Sequence, residues 1–486
     1  MHQTNRLPRL VPEQLGIRSS AIAAWVEGVE RSGQELHSFM LLRKGAVAAE
    51  GWWAPYEPEQ AHMAFSLSKS FTSTAVGMAI EEGLLALDDR VLSFFSEKID
   101  EAVEQRYSTL TVRHLLTMSS GHGEDPKKIM LAAEDGDWVQ AFLHTEPIVE
   151  PGVRFLYSSG VSYMLSAIMQ TVTGQTLLDY LEPRLFQPLG IERPYWESCP
   201  MGRNAGGWGL RLKTEDIAKF GQLYLQRGRW KGVQLVPEAW VAEATAKQIS
   251  NENGGPPDWS EGYGYQFWRC RHGAYRGDGA FGQYCIVLPE QEVVLAATGG
   301  LTDMQVIVDL VWEHLLPTLQ KGTTDETIDL QLVEKERNRW SKLALPLPLA
   351  AGSSLPVEAK LAALYKFEDN PLGWTEFSLT PILSDASISA IVCWKDMLGE
   401  HHIHCGSEGW IRGMASLQGE IRPIAAFGLW RENDTYEMTL YRTDAPYKDT
   451  FKFYFSGDRV IVDIERNIDF GPGPYTIRMN GYAVNC

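Results

Sequence analysis

The pattern of apolar residues predicts strands near both ends of the first 320 residues. Residues 39–43 and 46–52 are apolar runs on either side of Lys44-Gly45, which favours a tight β-hairpin. Residues 283–288 and 293–298 form a second such pair around a four-residue polar turn. Helical patterns lie between these hairpins. We therefore expect one sheet, assembled from distant parts of the chain and covered by helices.

The most distinctive helical pattern opens at Ser66 and ends at Gly83. Beyond Lys69 it is uncharged as far as Ile80, with small residues on every side, which predicts a helix buried all round and ended by a glycine. Residues 124–150 are polar and acidic, and we expect a surface excursion there. Similar patterns predict further helices at residues 111–118, 160–173, 213–226 and 304–316.

The character of the chain changes after residue 325. A charged stretch at 334–339 and the proline-bearing residues 345–348 predict a boundary. The sequence thus predicts a first domain at 1–325, a linker at 326–350 and a second domain at 351–486. Short alternating runs beyond residue 375, separated by turns, predict a small β-barrel or sandwich without a catalytic motif.

Composition narrows the class of protein. A chain of 486 residues that is 44% hydrophobic and 22% charged is typical of a soluble globular protein with two domains. The net charge of −18 argues against nucleic acid or an anionic membrane as a partner. The N-terminus has no apolar stretch as long as the core of a signal peptide, and no later apolar stretch is long enough to span a bilayer. The 6 cysteines show no Cys-x-x-Cys spacing. We expect free thiols, a cytoplasmic protein, and either a monomer or a homodimer.

Ser66 and Lys69 are the first candidate catalytic residues. A spacing of three places both side chains on one face of a helix. A serine hydroxyl is a weak nucleophile until a base removes its proton, and a lysine whose pKa is lowered by burial can be that base. A chance Ser-x-x-Lys match is expected in a chain of this length. The hypothesis of a catalytic pair therefore rests on the uncharged, small residues that follow Lys69, because a lysine at the start of a buried helix needs a functional reason.

Two further stretches carry candidate chemistry. Tyr157 lies on a turn before the predicted helix at 160–173; facing a cationic lysine, its pKa could fall and it could shuttle protons to Ser66, or it could simply anchor a loop. Residues 276–283 are rich in glycine and lead into a strand. Their backbone could approach a substrate and supply N–H groups to an oxyanion hole, or form only a turn at a strand start.

Together these stretches resemble the serine β-lactamase-like and penicillin-binding-protein-like superfamily, in the branch of class C β-lactamases, esterases and D-amino-acid amidases. The resemblance covers about residues 10–320 in the same order. It rests on residues 65–73, 114–122, 151–159, 207–211 and 216–221.

The resemblance implies an α/β (α+β) β-lactamase/transpeptidase-like domain, with a mostly antiparallel sheet, flanking helices and a helical subdomain. It also implies an acyl-enzyme mechanism without metal or organic cofactor. Ser66 would be the nucleophile, Lys69 the base and Tyr157 the proton shuttle. The backbone N–H groups of Ser66 and Ala280 would form the oxyanion hole.

The chain departs from the family pattern at two substrate-binding positions. Ser159 stands where Tyr-x-Asn has its amide, and its hydroxyl has a shorter reach. Gly277-Asp278-Gly279 stands where Lys-Thr-Gly has a lysine for the carboxylate of a β-lactam. Asp278 would repel an anionic substrate if it faced the site, although a turn former between glycines is the simpler interpretation. An uncharged small-molecule ester or amide, or one with a free amine, fits better than a β-lactam.

Two alternatives to that enzyme remain at this stage. A penicillin-binding-like sensor that is acylated without efficient turnover would use the same pocket, and the two departures favour it. A D-specific peptidase is a third hypothesis. Residues 401–405 hold three histidines, but only His402 and His404 would share a strand face, which disfavours a metal site.

Overall fold

The computed structural model describes residues 5–252, 255–320, 330–348, 363–383, 388–417, 419–432, 434–471, 473 and 475–484. They form two compact units. The first spans residues 1–52, 61–299 and 303–342, and the second spans 53–60, 300–302 and 343–486. The division of domains at 326–350 remains a prediction, and residues 326–329 and 349–350 of that linker lie outside the described residues.

The first unit contains eleven strands in its described part. They are β1 (Leu36–Arg43), β2 (Ala46–Trp52), β3 (His62–Met63), β4 (Tyr195–Trp196), β5 (Leu210–Leu212), β6 (Arg229–Trp230), β7 (Val233–Gln234), β8 (Trp268–Arg269), β9 (Tyr275–Gly279), β10 (Gln283–Leu288) and β11 (Val293–Gly299).

The helices of this unit lie mainly between β3 and β8 in the chain. They are α1 (Ser19–Arg31), α2 (Ser68–Glu81), α3 (Glu101–Tyr107), α4 (Val112–Leu116), α5 (Lys127–Leu131), α6 (Trp138–Leu143), α7 (Ser159–Thr173), α8 (Leu177–Leu181), α9 (Gln187–Leu189), α10 (Thr214–Leu225), α11 (Glu238–Thr245), α12 (Gln305–Leu310), α13 (Leu316–Gln320) and α14 (Leu330–Trp340).

The main sheet of the first unit has the strand order β2-β1-β11-β10-β9-β8, and neighbouring strands are antiparallel. Both predicted hairpins are present, and β1 of the first pairs with β11 of the second through contacts such as Leu41 with Leu295. Lys44 and Gly45 turn the first hairpin with φ angles of 51° and 80°. The prediction of one sheet built from both ends of this region is confirmed.

α2 and α10 pack in the core beside this sheet. The rings of Phe71 on α2 and Phe220 on α10 stack with centroids 3.9 Å apart. The hydroxyl groups of Thr74 and Tyr224 on the same two helices lie 2.7 Å apart, so the polar atoms of these buried side chains are satisfied. This packing fixes the helix that follows Ser66 against the sheet.

Two sequence predictions need correction here. The α-helix begins at Ser68 rather than Ser66, which lies in a preceding 3₁₀ turn (Phe65–Leu67). Residues 124–150 are not simply a surface excursion, because α5 and α6 bury Met130, Val139, Phe142 and Leu143. The many acidic residues of this stretch hid its short apolar faces.

The second unit is an all-β domain in its described part. Its strands are β12 (Tyr365–Phe367), β13 (Glu376–Leu383), β14 (Ile388–Asp396), β15 (Gly399–Cys405), β16 (Ile411–Leu417), β17 (Glu420–Glu432), β18 (Thr435–Arg442), β19 (Lys448–Ser456), β20 (Arg459–Arg466) and β21 (Thr476–Ala483).

These ten strands form one antiparallel sheet with the order β15-β14-β13-β12-β21-β20-β19-β18-β17-β16. Its two edges approach each other, because the chain just after β15 pairs with β17: Gly428 N–H donates to Gly406 O at 2.8 Å. The sheet is thus a nearly closed barrel, as the alternating pattern predicted. Aromatic rings such as those of Phe377 and Phe453, 4.9 Å apart, fill its interior.

No helix within the described residues combines the length and the apolar composition that crossing a lipid bilayer requires. The five cysteines in this part of the chain, at positions 199, 270, 285, 393 and 405, are free thiols. Cys486 lies outside the described residues.

Candidate active site

Ser66 lies in a turn that is fixed by hydrogen bonds on both sides. Ala64 N–H donates to Leu210 O at 2.8 Å, and Leu210 N–H donates to Ser68 Oγ at 3.1 Å. Phe65, directly before Ser66, has a φ of 46°, a conformation that costs free energy in a non-glycine residue and that surrounding contacts must hold. The turn leaves the Ser66 side chain partly exposed, so a substrate can reach its hydroxyl.

Lys69 points at Ser66 from the first turn of α2. Its Nζ lies 3.0 Å from Ser66 Oγ, 3.1 Å from Ser159 Oγ and 2.7 Å from Gly207 O. The Lys69 side chain is 1% exposed. This burial lowers the pKa of Lys69 to about 7, with Asp125 and Asp278 opposing the shift.

These three contacts suit a neutral amine. The carbonyl of Gly207 can only accept, so one N–H of Lys69 is directed there, and a second can donate to Ser159. The nitrogen lone pair is then free for the proton of Ser66. An amine that is neutral near pH 7 and lies within hydrogen-bond distance of the hydroxyl meets the geometric and electrostatic requirements of a general base.

Tyr157 completes this group from the loop before α7. Lys69 Nζ lies 4.9 Å from its ring centroid, and the hydroxyl is near enough to Ser66 for the two side chains to interact. Desolvation by the surrounding protein, with the negative charge of Asp278, raises the pKa of Tyr157 above its ordinary value. The expected fall in the pKa of this tyrosine is therefore wrong. A phenol that keeps its proton is suited to donate it rather than to act as a phenolate base.

Asp125 organises the loop that carries Tyr157 and Ser159. Its Oδ1 accepts from Ser158 Oγ at 2.7 Å and from Gly160 N–H at 3.0 Å, and its Oδ2 accepts from Ser159 N–H at 2.8 Å. The carboxylate thus accepts from N–H groups at the start of α7 that have no partner within the helix, and the helix dipole also favours negative charge there. Asp125 fixes the position of Ser159 relative to Lys69.

The glycines of β9 allow this strand to lie against the Ser66 turn. A Cβ at Gly279 would lie 2.1 Å from Ala64 O, and a Cβ at Gly277 would lie 2.5 Å from Ser70 Oγ. Both distances are far too short for real atoms. The close backbone approach that the glycine-rich stretch predicted is therefore made to the turn before the nucleophile and to α2.

Asp278 is neither a turn former nor an exposed charge, and that prediction is corrected. It lies within β9, 6% exposed, and its Oδ2 accepts from Arg276 Nε at 2.9 Å. Arg276 Cζ lies 5.6 Å from the ring centroid of Trp268, and the ring of Trp268 stacks on that of Tyr157 with centroids 5.1 Å apart. Arg276 is 0% exposed. The ion pair therefore neutralises Asp278 and helps to hold Tyr157.

Ala280 follows β9 in the turn to β10. Gln283 Nε2 donates to Ala280 O at 3.0 Å and to Gly299 O at 2.9 Å, which fixes the Ala280 peptide against the sheet. Phe281, with a φ of 66°, places its ring 5.6 Å from that of Phe65. The two residues predicted to supply oxyanion-hole N–H groups, Ser66 and Ala280, are thus next to aromatic residues that contact each other.

Sequence reasoning missed three contributors to this site: Asp125, Arg276 and the carbonyl of Gly207. Asp125 lies in the stretch interpreted as a surface excursion, and a backbone carbonyl leaves no signal in residue type. Arg276 stands beside Asp278 in the sequence, and an Arg-x-Asp pair on one strand face could have suggested an ion pair.

The histidines of β15 lie elsewhere, in the second unit. His402 and His404 are exposed on one strand face, as predicted, whereas His401 is buried, with Nε2 2.9 Å from Asp396 Oδ1. Within the described part of the chain, no group of three or more His, Cys, Asp or Glu side chains is arranged to hold a metal ion.

Comparison with known proteins agrees with this geometry. The Beta-lactamase family model matches residues 28–299. The chain is 24% identical over 317 residues to a 6-aminohexanoate-dimer hydrolase of Paenarthrobacter ureafaciens, covering 60% of this chain and 80% of that protein. It is 26% identical over 348 residues to penicillin-binding protein 4 of Amycolatopsis lactamdurans, covering 62% of this chain and 85% of that protein.

Among solved structures, the octameric penicillin-binding protein homologue from Pyrococcus abyssi has the same fold. It matches with a TM-score of 0.50 and 18% identity, covering 95% of this chain and 99% of that chain. The matched family region contains Ser66, Lys69, Tyr157 and Ala280. The chain therefore belongs to the beta-lactamase family of serine hydrolases.

Proposed function

We propose that this protein hydrolyses a small, uncharged ester or amide through an acyl-enzyme on Ser66. The observation that carries the proposal is the 3.0 Å separation of Lys69 Nζ and Ser66 Oγ, in a setting that lowers the pKa of Lys69 to about 7. A neutral base at that distance can remove the proton of Ser66 as the hydroxyl attacks a carbonyl carbon.

In the proposed acylation, the bond from Ser66 Oγ to the carbonyl carbon forms while its proton passes to Lys69. The bond to the leaving group then breaks, and the leaving group takes a proton. Tyr157, which keeps its proton and lies next to Ser66 and Lys69, is suited to deliver that proton, and the proton on Lys69 restores the phenol. In deacylation, water replaces the alcohol or amine, and the same groups act in reverse.

The negative charge that develops on the carbonyl oxygen requires hydrogen-bond donors. We assign this role to the backbone N–H groups of Ser66 and Ala280. The hydrogen bonds of the Ser66 turn and the contact of Gln283 with Ala280 O hold both peptides in place before substrate binds. Donors that need no reorganisation stabilise a transition state most effectively.

The charges around the site support an uncharged substrate. Gly277 stands where the family pattern has a lysine, and its neighbour Arg276 is fully buried and paired with Asp278. Neither can bind a substrate carboxylate. Trp208 and Phe281 are partly exposed beside Gly207 and Ala280, respectively, and their rings favour an apolar acyl group.

The direct test is the intact mass of the protein after brief exposure to a fluorophosphonate, a p-nitrophenyl ester and a penicillin. We expect a single fluorophosphonate adduct and catalytic release of nitrophenol. Both should be lost in Ser66→Ala and kept in Ser73→Ala, which removes a buried hydroxyl from α2, the helix that follows Ser66. An adduct that persists in Ser66→Ala would refute the assignment of the nucleophile.

A second candidate function is that of a sensor that is acylated without efficient turnover. Ser159, in place of the family's asparagine, is the observation that favours it, because a shorter side chain holds the substrate amide less closely. A penicillin adduct that lasts for hours, without release of nitrophenol from the ester, would select the sensor. Rapid turnover of the ester selects the hydrolase.

A further inference from the structure

The barrel of the second unit contains a cavity of about 160 Å³. It lies at one end of the barrel, where β14, β16, β18 and β20 finish and β19 begins. All of its lining residues belong to this unit, so the cavity is separate from the active-site residues. An apolar cavity of about 150 Å³ is large enough to bind benzene.

The polar side of the cavity carries an excess of positive charge. Arg442 Nη2 donates to Asp449 Oδ2 at 3.1 Å, and Arg466 donates to the same carboxylate through Nε at 2.7 Å and Nη2 at 3.2 Å. Two guanidinium groups thus share one aspartate. The other acidic lining residue, Asp396, already accepts from His401 and from Leu398 N–H.

One nitrogen of Arg442 has no hydrogen-bond partner among the described residues. This nitrogen is Nε, and Arg442 is 8% exposed. A buried cation with an unused donor is costly unless an anion binds it.

The opposite side of the cavity is aromatic and apolar. The rings of Trp374 and Trp394 stack with centroids 4.8 Å apart and planes at 11°. Phe451 continues this wall, with its ring centroid 6.3 Å from that of Trp374. Met397 and Leu398, which also line the cavity, are 92% and 57% exposed. Apolar side chains exposed beside a cavity are typical of a binding site for an apolar group.

We propose that this cavity binds a small monocarboxylate with one aromatic ring or a branched aliphatic group of similar size. The carboxylate lies against Arg442 and Arg466, whose planar donors match its two oxygens. The apolar group lies against the Trp374–Trp394 wall. Arg442, Arg466 and Asp449 together carry a single net positive charge, which matches a monoanion better than a phosphate dianion, and the volume of the cavity excludes a long acyl chain.

The test is a ¹⁹F NMR titration of the full-length protein with 4-fluorobenzoate, with 4-fluorobenzyl alcohol as the neutral analogue. We expect saturable line broadening with the acid and at least tenfold weaker binding of the alcohol. Inorganic phosphate at equal concentration should not displace the acid. Equal binding of acid and alcohol, or displacement by phosphate, would overturn the proposal.

Two variants locate the site. Arg466→Gln keeps a hydrogen-bond donor for Asp449 but removes the excess charge, and should weaken binding of 4-fluorobenzoate at least tenfold. Leu417→Trp fills the cavity and should abolish binding. Met414→Trp, on the same strand but 59% exposed and outside the cavity, is the control and should bind as the wild type does. Unchanged binding in Leu417→Trp, with circular dichroism and Tm like those of the control, would refute the location.

Discussion

Arg276 and Asp278 form a buried ion pair two residues apart on β9, with Arg276 Nε 2.9 Å from Asp278 Oδ2. The pair occupies the segment that was compared with the Lys-Thr-Gly pattern of the family. It supplies no free charge to a substrate. Its role is instead to hold Trp268 and, through the stacked ring, Tyr157.

Replacing Asp278 with asparagine should destabilise the protein. Removal of one partner leaves Arg276 charged and unpaired in a fully buried position, which costs about 3–5 kcal/mol. Thermal unfolding of Asp278→Asn measures the loss. Asp88→Asn breaks an Arg–Asp pair on the surface of the same unit and should leave the Tm nearly unchanged. Equal stability of Asp278→Asn and wild type would contradict a structural role for the pair.

The pH dependence of ester hydrolysis should follow Lys69. The active form is the neutral amine, so kcat/KM should be low at acid pH, rise around pH 7 and reach a plateau above it. Because the pKa of Tyr157 is raised, the plateau should extend to pH 10 without a fall. Initial rates between pH 5 and 10, corrected for spontaneous hydrolysis, measure the profile. A rise centred near the ordinary lysine pKa would contradict the assignment of Lys69 as the base.

The thermal stability of the protein should also depend on pH through Lys69, and it should increase as pH rises. Lys69 has a lower pKa in the folded chain than in the unfolded chain, so unfolding takes up a proton between about pH 7 and 10.5. The free energy of unfolding therefore increases as pH rises through this range. Lys69→Met should therefore be more stable than wild type at neutral pH, with the difference narrowing toward pH 10. A difference in Tm that is constant between pH 7 and 10 would show that this lysine is not perturbed.

Asp125→Asn should reduce activity with little change in fold. One oxygen and the negative charge are lost at the start of α7, so Ser159 loses its fixed position; kcat/KM should fall about 10- to 100-fold. Because Asp125 raises the pKa of Lys69, the acid limb of the pH profile should also move to lower pH. Glu124→Gln, an exposed neighbour, is the control. If activity falls but the acid limb does not move, Asp125 positions Ser159 without affecting the pKa of Lys69.

Gly279→Ala should inactivate the enzyme. The new Cβ would lie 2.1 Å from Ala64 O, so either β9 or the Ser66 turn must move. A Cβ at Gly413, by contrast, would have no described neighbour within 4 Å, and Gly413→Ala is the matched control in a strand of the barrel. Nitrophenol release and fluorophosphonate labelling measure the effect. A fully labelled Gly279→Ala variant would show that the close approach is not required for reactivity.

Much of the fold was predictable because its signals are local. Hairpins are set by apolar runs and by the turn residues between them, and the helix at 160–173 follows from apolar positions on one stripe and a glycine after it. The Ser66–Lys69 pair was predictable for the same reason, since a spacing of three fixes a shared face. The 3₁₀ turn at Ser66 was not predictable, because it depends on hydrogen bonds to Leu210, far away in the sequence.

The sequence by itself predicted both hairpins of the first sheet, the all-β character of the second unit and the spacing of Ser66 and Lys69. Only the tertiary structure decided the pKa values and the charge balance of the catalytic group. The pKa of Lys69 falls and that of Tyr157 rises because both lie in a setting from which the folded chain excludes water. The charge of Asp278 is compensated by that of Arg276, which is buried beside it. Asp125 can position Ser159 only because folding brings its carboxylate to the start of α7. Such properties arise from neighbours in space, which local sequence patterns do not specify.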